Sequence, residues 1–198
     1  MKTIINKIIR GKTKEEYRVQ KNETLTLVYL VNSNDYIEIK SSVHLVGDGA
    51  KATIIGIVTG GARSIIQINT LQHHAASNTT SNLLIKSVLS DASSLKYFGS
   101  IVVDKQAQRT DAYQRNENLL LGTRSTATSS PVLEILANDV RCTHGAVVKT
   151  VDENELWYIT SRGIDSARGR AMIADGFLKS ALNDICLTPK QYKKIFPS

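Results

Sequence analysis

Short runs of β-branched and aliphatic residues, cut at close intervals by Gly, Asn, Asp and Ser, fill the first three-quarters of this 198-residue chain. Residues 23–31 (ETLTLVYLV), 36–46, 52–58, 64–71, 81–89, 95–103, 117–121, 132–136 and 140–149 each read as a strand. The breakers between them, such as Asn32 to Asp35, Gly47 to Gly49 and Gly60 with Gly61, carry turn chemistry. The cadence therefore predicts a mainly β fold of roughly nine or ten short strands. A sandwich, a barrel and a β-solenoid all accommodate it, and with no strict repeat visible the pattern does not choose among them.

Residues 1–20 are more ambiguous. Ile4, Ile5, Ile8 and Ile9 suit a short helix about as well as a strand, until Gly11 interrupts them. Clear helical signals begin only after residue 150. Asp152 with Glu155 resembles a capping box, Leu156 and Ile159 follow three apart, and Gly163 marks a stop. Asp165 or Ser166 caps a second helix with an apolar stripe of Ala167, Ala171, Ala174, Leu178 and Leu182. Thr188 before Pro189 opens a third. Residues 1–150 are thus expected to form the β core and residues 151–198 a docked helical segment.

Composition narrows the function classes. Hydrophobic residues at 41% suffice for a packed core, which excludes global disorder. A net charge of +7 invites a nucleic-acid reading, yet the cations are scattered and nowhere interleaved with aromatics, so a solvated basic surface accounts for them better. No apolar run approaches the ~20 residues of a membrane span. Two cysteines, Cys142 and Cys186, make no disulfide framework, and without a signal-peptide pattern the expected setting is a reducing cytoplasm.

One residue pair carries candidate chemistry. In the run VRCTHGA, Cys142 and His144 fall on one face if the segment is a strand, about 6–7 Å apart. A thiolate and an imidazole so placed can share a soft metal or a metal–sulfur cluster. A small buried thiol beside a satisfied histidine is the plainer alternative. A complete site needs further ligands, and His44, His73 and His74 are distant in sequence, so a dimer rather than one chain would have to complete it. His73 and His74 read as part of a polar surface loop. Gln106, Gln108, Gln114 and Asn116 read as internal ladder or turn residues.

Several motifs occur in one order: VDKQAQRTDAYQRNENLLL, SSPVLEI, NDVRCTHGA, LWYITSRGI and GFL, spanning residues 99–178. Together they resemble the SufB/SufD family, the paired scaffold subunits of the Suf iron–sulfur cluster assembly machinery. The resemblance implies a right-handed parallel β-helix core with a small α-helical tail, and a scaffold rather than an enzyme. It implies a transient, nascent cluster with Cys142 and His144 as ligands at a subunit interface, and no nucleotide bound directly. The implied partners are a SufB-type subunit or a second copy of the chain, and a SufC-type ABC ATPase that docks on the tail. Arg162, Gly163, Ile164, Gly176 and Phe177 match the family pattern there. Asn116 stands where SufB-type subunits carry a cysteine, and Gly145 follows the histidine in place of an acidic residue, so the motif is SufD-like. Full-length members carry a longer N-terminal region, which leaves a naturally short or a trimmed member as the expectation.

Readings from other classes are a catalytic β-solenoid, such as a polysaccharide lyase or hydrolase, and a basic nucleic-acid-binding module. The first needs clustered carboxylates on one face, whereas Asp104, Asp111 and Glu117 are dispersed. Gly47, Gly49 and Ala52 echo a dinucleotide fingerprint, but a strand-like run follows them where a phosphate-binding helix would have to begin.

Overall fold

The computed structural model describes residues 1–182. Eleven strands come first: β1 (Lys2–Ile9), β2 (Lys12–Val19), β3 (Thr24–Ser33), β4 (Tyr36–Leu45), β5 (Lys51–Gly60), β6 (Ile65–His74), β7 (Thr80–Leu89), β8 (Ser94–Val103), β9 (Thr110–Leu120), β10 (Thr126–Ile135) and β11 (Val140–Thr150). Two helices follow, α1 (Glu153–Thr160) and α2 (Ser166–Lys179), then a single 3-10 turn. The proposed third helix lies outside the described residues.

Odd-numbered strands stack in the order β1-β3-β5-β7-β9-β11 and even-numbered strands in the order β10-β8-β6-β4-β2, all parallel. Each strand therefore rests on the one two before it, and the chain winds as a β-solenoid of about five turns. Lys51 lies beside Thr80 and Thr80 beside Asp111, so one turn takes about 30 residues. The sequence reading missed β2, left β1 open between helix and strand, and started β9 and β10 too late.

Side chains alternate between the lumen and the outside, as strand geometry requires. In the first turns the lumen is apolar, with Leu27, Ile39, Leu45, Ile54, Ile66 and Leu83 almost fully buried. Higher up it becomes polar: Gln72, His74, Ser81, Gln114, Asn116 and Asn118 are all buried. Sheet β1-β3-β5-β7-β9-β11 is apolar on its outer face as well. There Ile55, Ile57, Val88 and Leu119 pack under Leu156, Ala174, Leu178 and Ala181 of the helical segment. Covering both faces explains why β5 reads as a nearly unbroken β-branched run (ATIIGIV) rather than an alternating one.

The buried stripe of α2 is rotated from the expected one. Gly169, Ala174 and Leu178 are buried, whereas Ala167 and Ala171 face solvent. Gly169 is where α2 meets α1: a Cβ there would lie 2.9 Å from Leu156 Cδ1 and 3.3 Å from Ile159 Cγ2. Asp152 and Asp165 cap the two helices, accepting from the backbone N–H groups of Asn154 and Arg168.

Candidate cluster-ligand site

Cys142 and His144 lie on β11, the last strand of its sheet. Its only ladder is to β9, so its outer edge carries unpaired backbone groups among the described residues. Cys142 stacks on Ala112 and His144 on Gln114, both lumen residues 1% exposed, which places the two side chains at the mouth of the lumen. The Cys142 thiol is half-buried beside Ile101, Val103, Ala107, Ala112 and Ala137, while His144 is exposed. No formally charged side chain shares the lumen side of this last rung; Ala127, Ser129, Pro131 and Leu133 face it from β10.

Burial pushes the Cys142 thiol up, and the nearby Asp111 charge adds to this, while a backbone hydrogen bond at Ala112 works against both. The free thiol is therefore protonated near neutrality, and metal binding would release its proton. Among the described residues no group of three or more His, Cys, Asp or Glu side chains converges on one point. The described residues thus offer two soft donors at an open edge and no complete coordination sphere. Cys186 lies outside the described residues.

The other candidate positions separate into two places. Arg162, Gly163 and Ile164 form the turn between α1 and α2, with Gly163 in the left-handed region at φ +85. Arg162 lies 4.9 Å from the centre of the Tyr158 ring and donates to its hydroxyl. Gly176 is exposed, about 15 Å further along α2. Phe177 turns to the solenoid, with Lys86 Nζ 4.6 Å and Lys149 Nζ 5.4 Å from its ring centre. Lys86 also pairs with the buried Glu117 at 2.9 Å and donates to Ser180, so Phe177 belongs to a latch holding α2 to the sheet. The sequence reading missed Trp157, which is 70% exposed beside the exposed Tyr158 on α1. An aromatic one position past the buried Leu156 was the available signal.

His73 and His74 are not in a surface loop; they end β6. His73 bridges His44 (Nδ1 to Nδ1, 3.0 Å) and Asp104 (3.1 Å) on the outside, while His74 is buried between Thr79 and Ser81. Loop-like polarity misled because these rungs have a polar lumen. Asp104, Asp111 and Glu117 do not converge: each has its own partner, His73, Arg141 and Lys86 respectively. A groove of about 410 Å³ lined by Thr53, Asn82, Tyr113 and Arg115 lies on the far side of the β11-containing sheet from Cys142.

The model of the SUF system FeS cluster assembly SufBD core domain matches residues 10–177. The chain belongs to the SufBD family. It is similar to the iron–sulfur cluster assembly protein SufD of Escherichia coli (strain K12), 32% identical over 147 residues, which is 73% of this chain and 35% of that protein. It is also similar to an iron–sulfur cluster assembly SufBD family protein of Synechocystis sp., 32% identical over 110 residues (56% of this chain, 24% of that one), and to one of Mycobacterium bovis, 29% identical over 178 residues (86% and 45%). This SufBD family protein thus spans less than half the length of these relatives. The match runs from β2 through β11 and into α2. Asn116 is fully buried and bonded to Ile85 O and Asn118, with no thiol anywhere on β9. No helix among the described residues is long and apolar enough to cross a membrane.

Proposed function

We propose that this SufBD family protein is a SufD-type, non-enzymatic scaffold on which iron and sulfide, its cargo, are held during cluster assembly in a reducing cytoplasm. The observation that carries the reading is the placement of Cys142 and His144: two soft donors on the edge strand, facing an uncharged lumen mouth, with no third ligand converging on them among the described residues. A SufB-type subunit, or a second copy of this chain, adds its edge to β11 and supplies the missing ligands. The thiol loses its proton as iron binds, and His144 contributes a neutral ring nitrogen.

The helical segment is the docking surface for a SufC-type ABC ATPase, which holds the nucleotide itself. Arg162, Gly163 and Ile164, with the neighbouring Trp157 and Tyr158, supply its exposed part; Phe177 anchors α2 beneath it. ATP-driven closure of the ATPase would act on the β11 edge through α1, which starts three residues after that strand ends.

The test is anaerobic reconstitution with ferrous iron and sulfide, alone and with a SufB-type partner. Cys142→Ala with His144→Ala should retain background iron only. Parent-level cluster in that variant would sink the ligand assignment. For docking, Trp157→Ala with Arg162→Ala should lose co-purification with a SufC-type ATPase while keeping the parent melting temperature; unchanged co-purification removes this face from consideration.

A further inference from the structure

Two histidines from adjacent rungs meet on the outer face of sheet β10-β8-β6-β4-β2, away from the lumen. His44 on β4 is in register with His73 on β6, and their Nδ1 atoms are 3.0 Å apart. Both side chains are mostly covered yet reachable, 20% and 26% exposed. A carboxylate flanks the pair on each side. Asp104 Oδ1 accepts from His73 Nε2 at 3.1 Å, and Glu16 Oε1 lies 3.6 Å from His44 Nε2. Gln106 Nε2 donates to the other oxygen of Asp104 at 3.2 Å. Arg18, in register with His44 on β2, is turned to Glu16.

The hydrogen bonds assign the protons. A carboxylate only accepts, so His73 carries its proton on Nε2 and keeps a lone pair on Nδ1. The 3.0 Å contact then makes His44 the donor, through its Nδ1–H. His44 Nε2 is left with a lone pair facing the Glu16 carboxylate, at a distance too long for a hydrogen bond. Protonating His44 would repair that mismatch. Burial, and after it the second imidazole, hold the His44 pKa below its ordinary value, so near pH 7 the ring is neutral. Neutral imidazole is the form that ligates metal.

We propose that His44 and His73 form a two-imidazole site for one divalent transition-metal ion of the tetragonal class, Cu²⁺ or Ni²⁺, bound through both Nδ1 atoms. Two nitrogens bound at right angles to one ion lie about 2.9 Å apart, close to the separation present, whereas a tetrahedral ion needs about 3.3 Å. Each new metal–nitrogen bond replaces a water on the hydrated ion. The His44 proton moves from Nδ1 to Nε2, where Glu16 accepts it, and no net proton is released. Asp104 holds the His73 N–H as ligating histidines are commonly held. The metal-free rings meet nearly end on, with centres 5.2 Å apart, and tilt to aim both lone pairs at the ion. No third His, Cys, Asp or Glu among the described residues converges there, so water fills the remaining positions. The site is independent of the cluster-ligand reading, since Cys142 and His144 lie on the other sheet.

A background of Cys142→Ala, His144→Ala and Cys186→Ala removes the other soft donors from the full-length chain and leaves the pair and the buried His74 as its imidazoles. Ni²⁺ calorimetry on this background should show one site per chain. His44→Gln and His73→Gln should each abolish it, and Asp104→Asn should weaken it about tenfold. A second readout needs no variant of the pair to fold: with one equivalent of Cu²⁺, pulsed EPR of the background should show two coordinated imidazoles. No Ni²⁺ site in the background, unchanged Ni²⁺ affinity in His44→Gln or His73→Gln, or fewer than two imidazoles on Cu²⁺ overturns the proposal. The cluster-ligand reading stands or falls separately, on iron loading of the Cys142 and His144 variants.

Discussion

The two ends of the solenoid face the same physical problem and answer it differently. Each ends in two strands whose outer edges are unpaired among the described residues: β1 and β2 at one end, β10 and β11 at the other. At the N-terminal end the lumen is closed by charge. Lys7 pairs with Glu15, whose other oxygen accepts from the Tyr17 hydroxyl at 2.6 Å and the Tyr29 hydroxyl at 3.3 Å. Burial alone would raise the Glu15 pKa, but Lys7 and the two tyrosines together hold it below its ordinary value. Inward charges, and charged outer positions such as Lys12, Lys14 and Arg18 on β2, make an edge poor to pair with. The C-terminal end has no such pair, and its lumen side offers a thiol, an imidazole and small neutral residues. A molecule that needed both ends solvated would have charged both. Under the proposed function, the neutral end with its soft donors is the one that takes a partner.

The comparison breaks most visibly in iron loading. Lys7→Met with Glu15→Gln, at the charged end, should retain as much cluster on reconstitution as the parent, whereas Cys142→Ala with His144→Ala should retain almost none. Equal losses at the two ends would mean that general destabilisation, not ligation, sets loading.

Acid separates the levels of the lumen next. Burial, and secondarily His73, lowers the His74 pKa from its ordinary 6.5 to about 4, with Asp111 opposing. Between those values the unfolded chain binds a proton that the native chain refuses. Stability is therefore complete above pH 6.5 and falls by up to about 3 kcal/mol as pH drops to 4. Thermal melts across that range should show the decline, and His74→Gln should flatten it; an unchanged slope in that variant places the sensitivity elsewhere. Glu15 contributes in the same direction at lower pH, because its depressed pKa means stability present above 4.5 and lost as pH falls through the lowered value.

Glu15→Leu sharpens the account of the N-terminal cap. It leaves Lys7 without its partner and two tyrosine hydroxyls without their acceptor, and should cost about 1–3 kcal/mol in chemical denaturation. A neutral result would show that the cap is solvated and does not seal the lumen. The smallest effect is expected in the tail. Gly169→Ala forces α2 off Leu156 and Ile159 and should cost about 1 kcal/mol, read as a lower melting temperature with the β spectrum unchanged.

Much of the body was legible from local chemistry. Apolar runs such as ETLTLVYLV and ATIIGIV find their strands, and Asp152 and Asp165 find their helix caps, because those signals act within a few residues. The polar strands were not legible. KTKEEYRV becomes β2 because it stacks on β4, and the polar run from Thr110 becomes β9 because Gln114, Asn116 and Asn118 bond across the lumen and to each other. A repeat was present but too sparse to see unaligned. Gly61 to Ser64, Ser90 to Ser93 and Gly122 to Ser125 close three stacked turns, each serine N–H donating to the carbonyl three residues back, with each serine buried.

For the site, sequence alone determined the chemistry: a thiol and an imidazole on one strand face, within a run whose order of motifs is that of the SufBD family. Only the tertiary structure decided that this strand is the last of its sheet and that the pair looks into an uncharged mouth. The reason is physical. Residue type and a two-residue spacing fix donor atoms locally, whereas an open edge is defined by what does not stack on it, and that depends on where the winding of the whole chain stops.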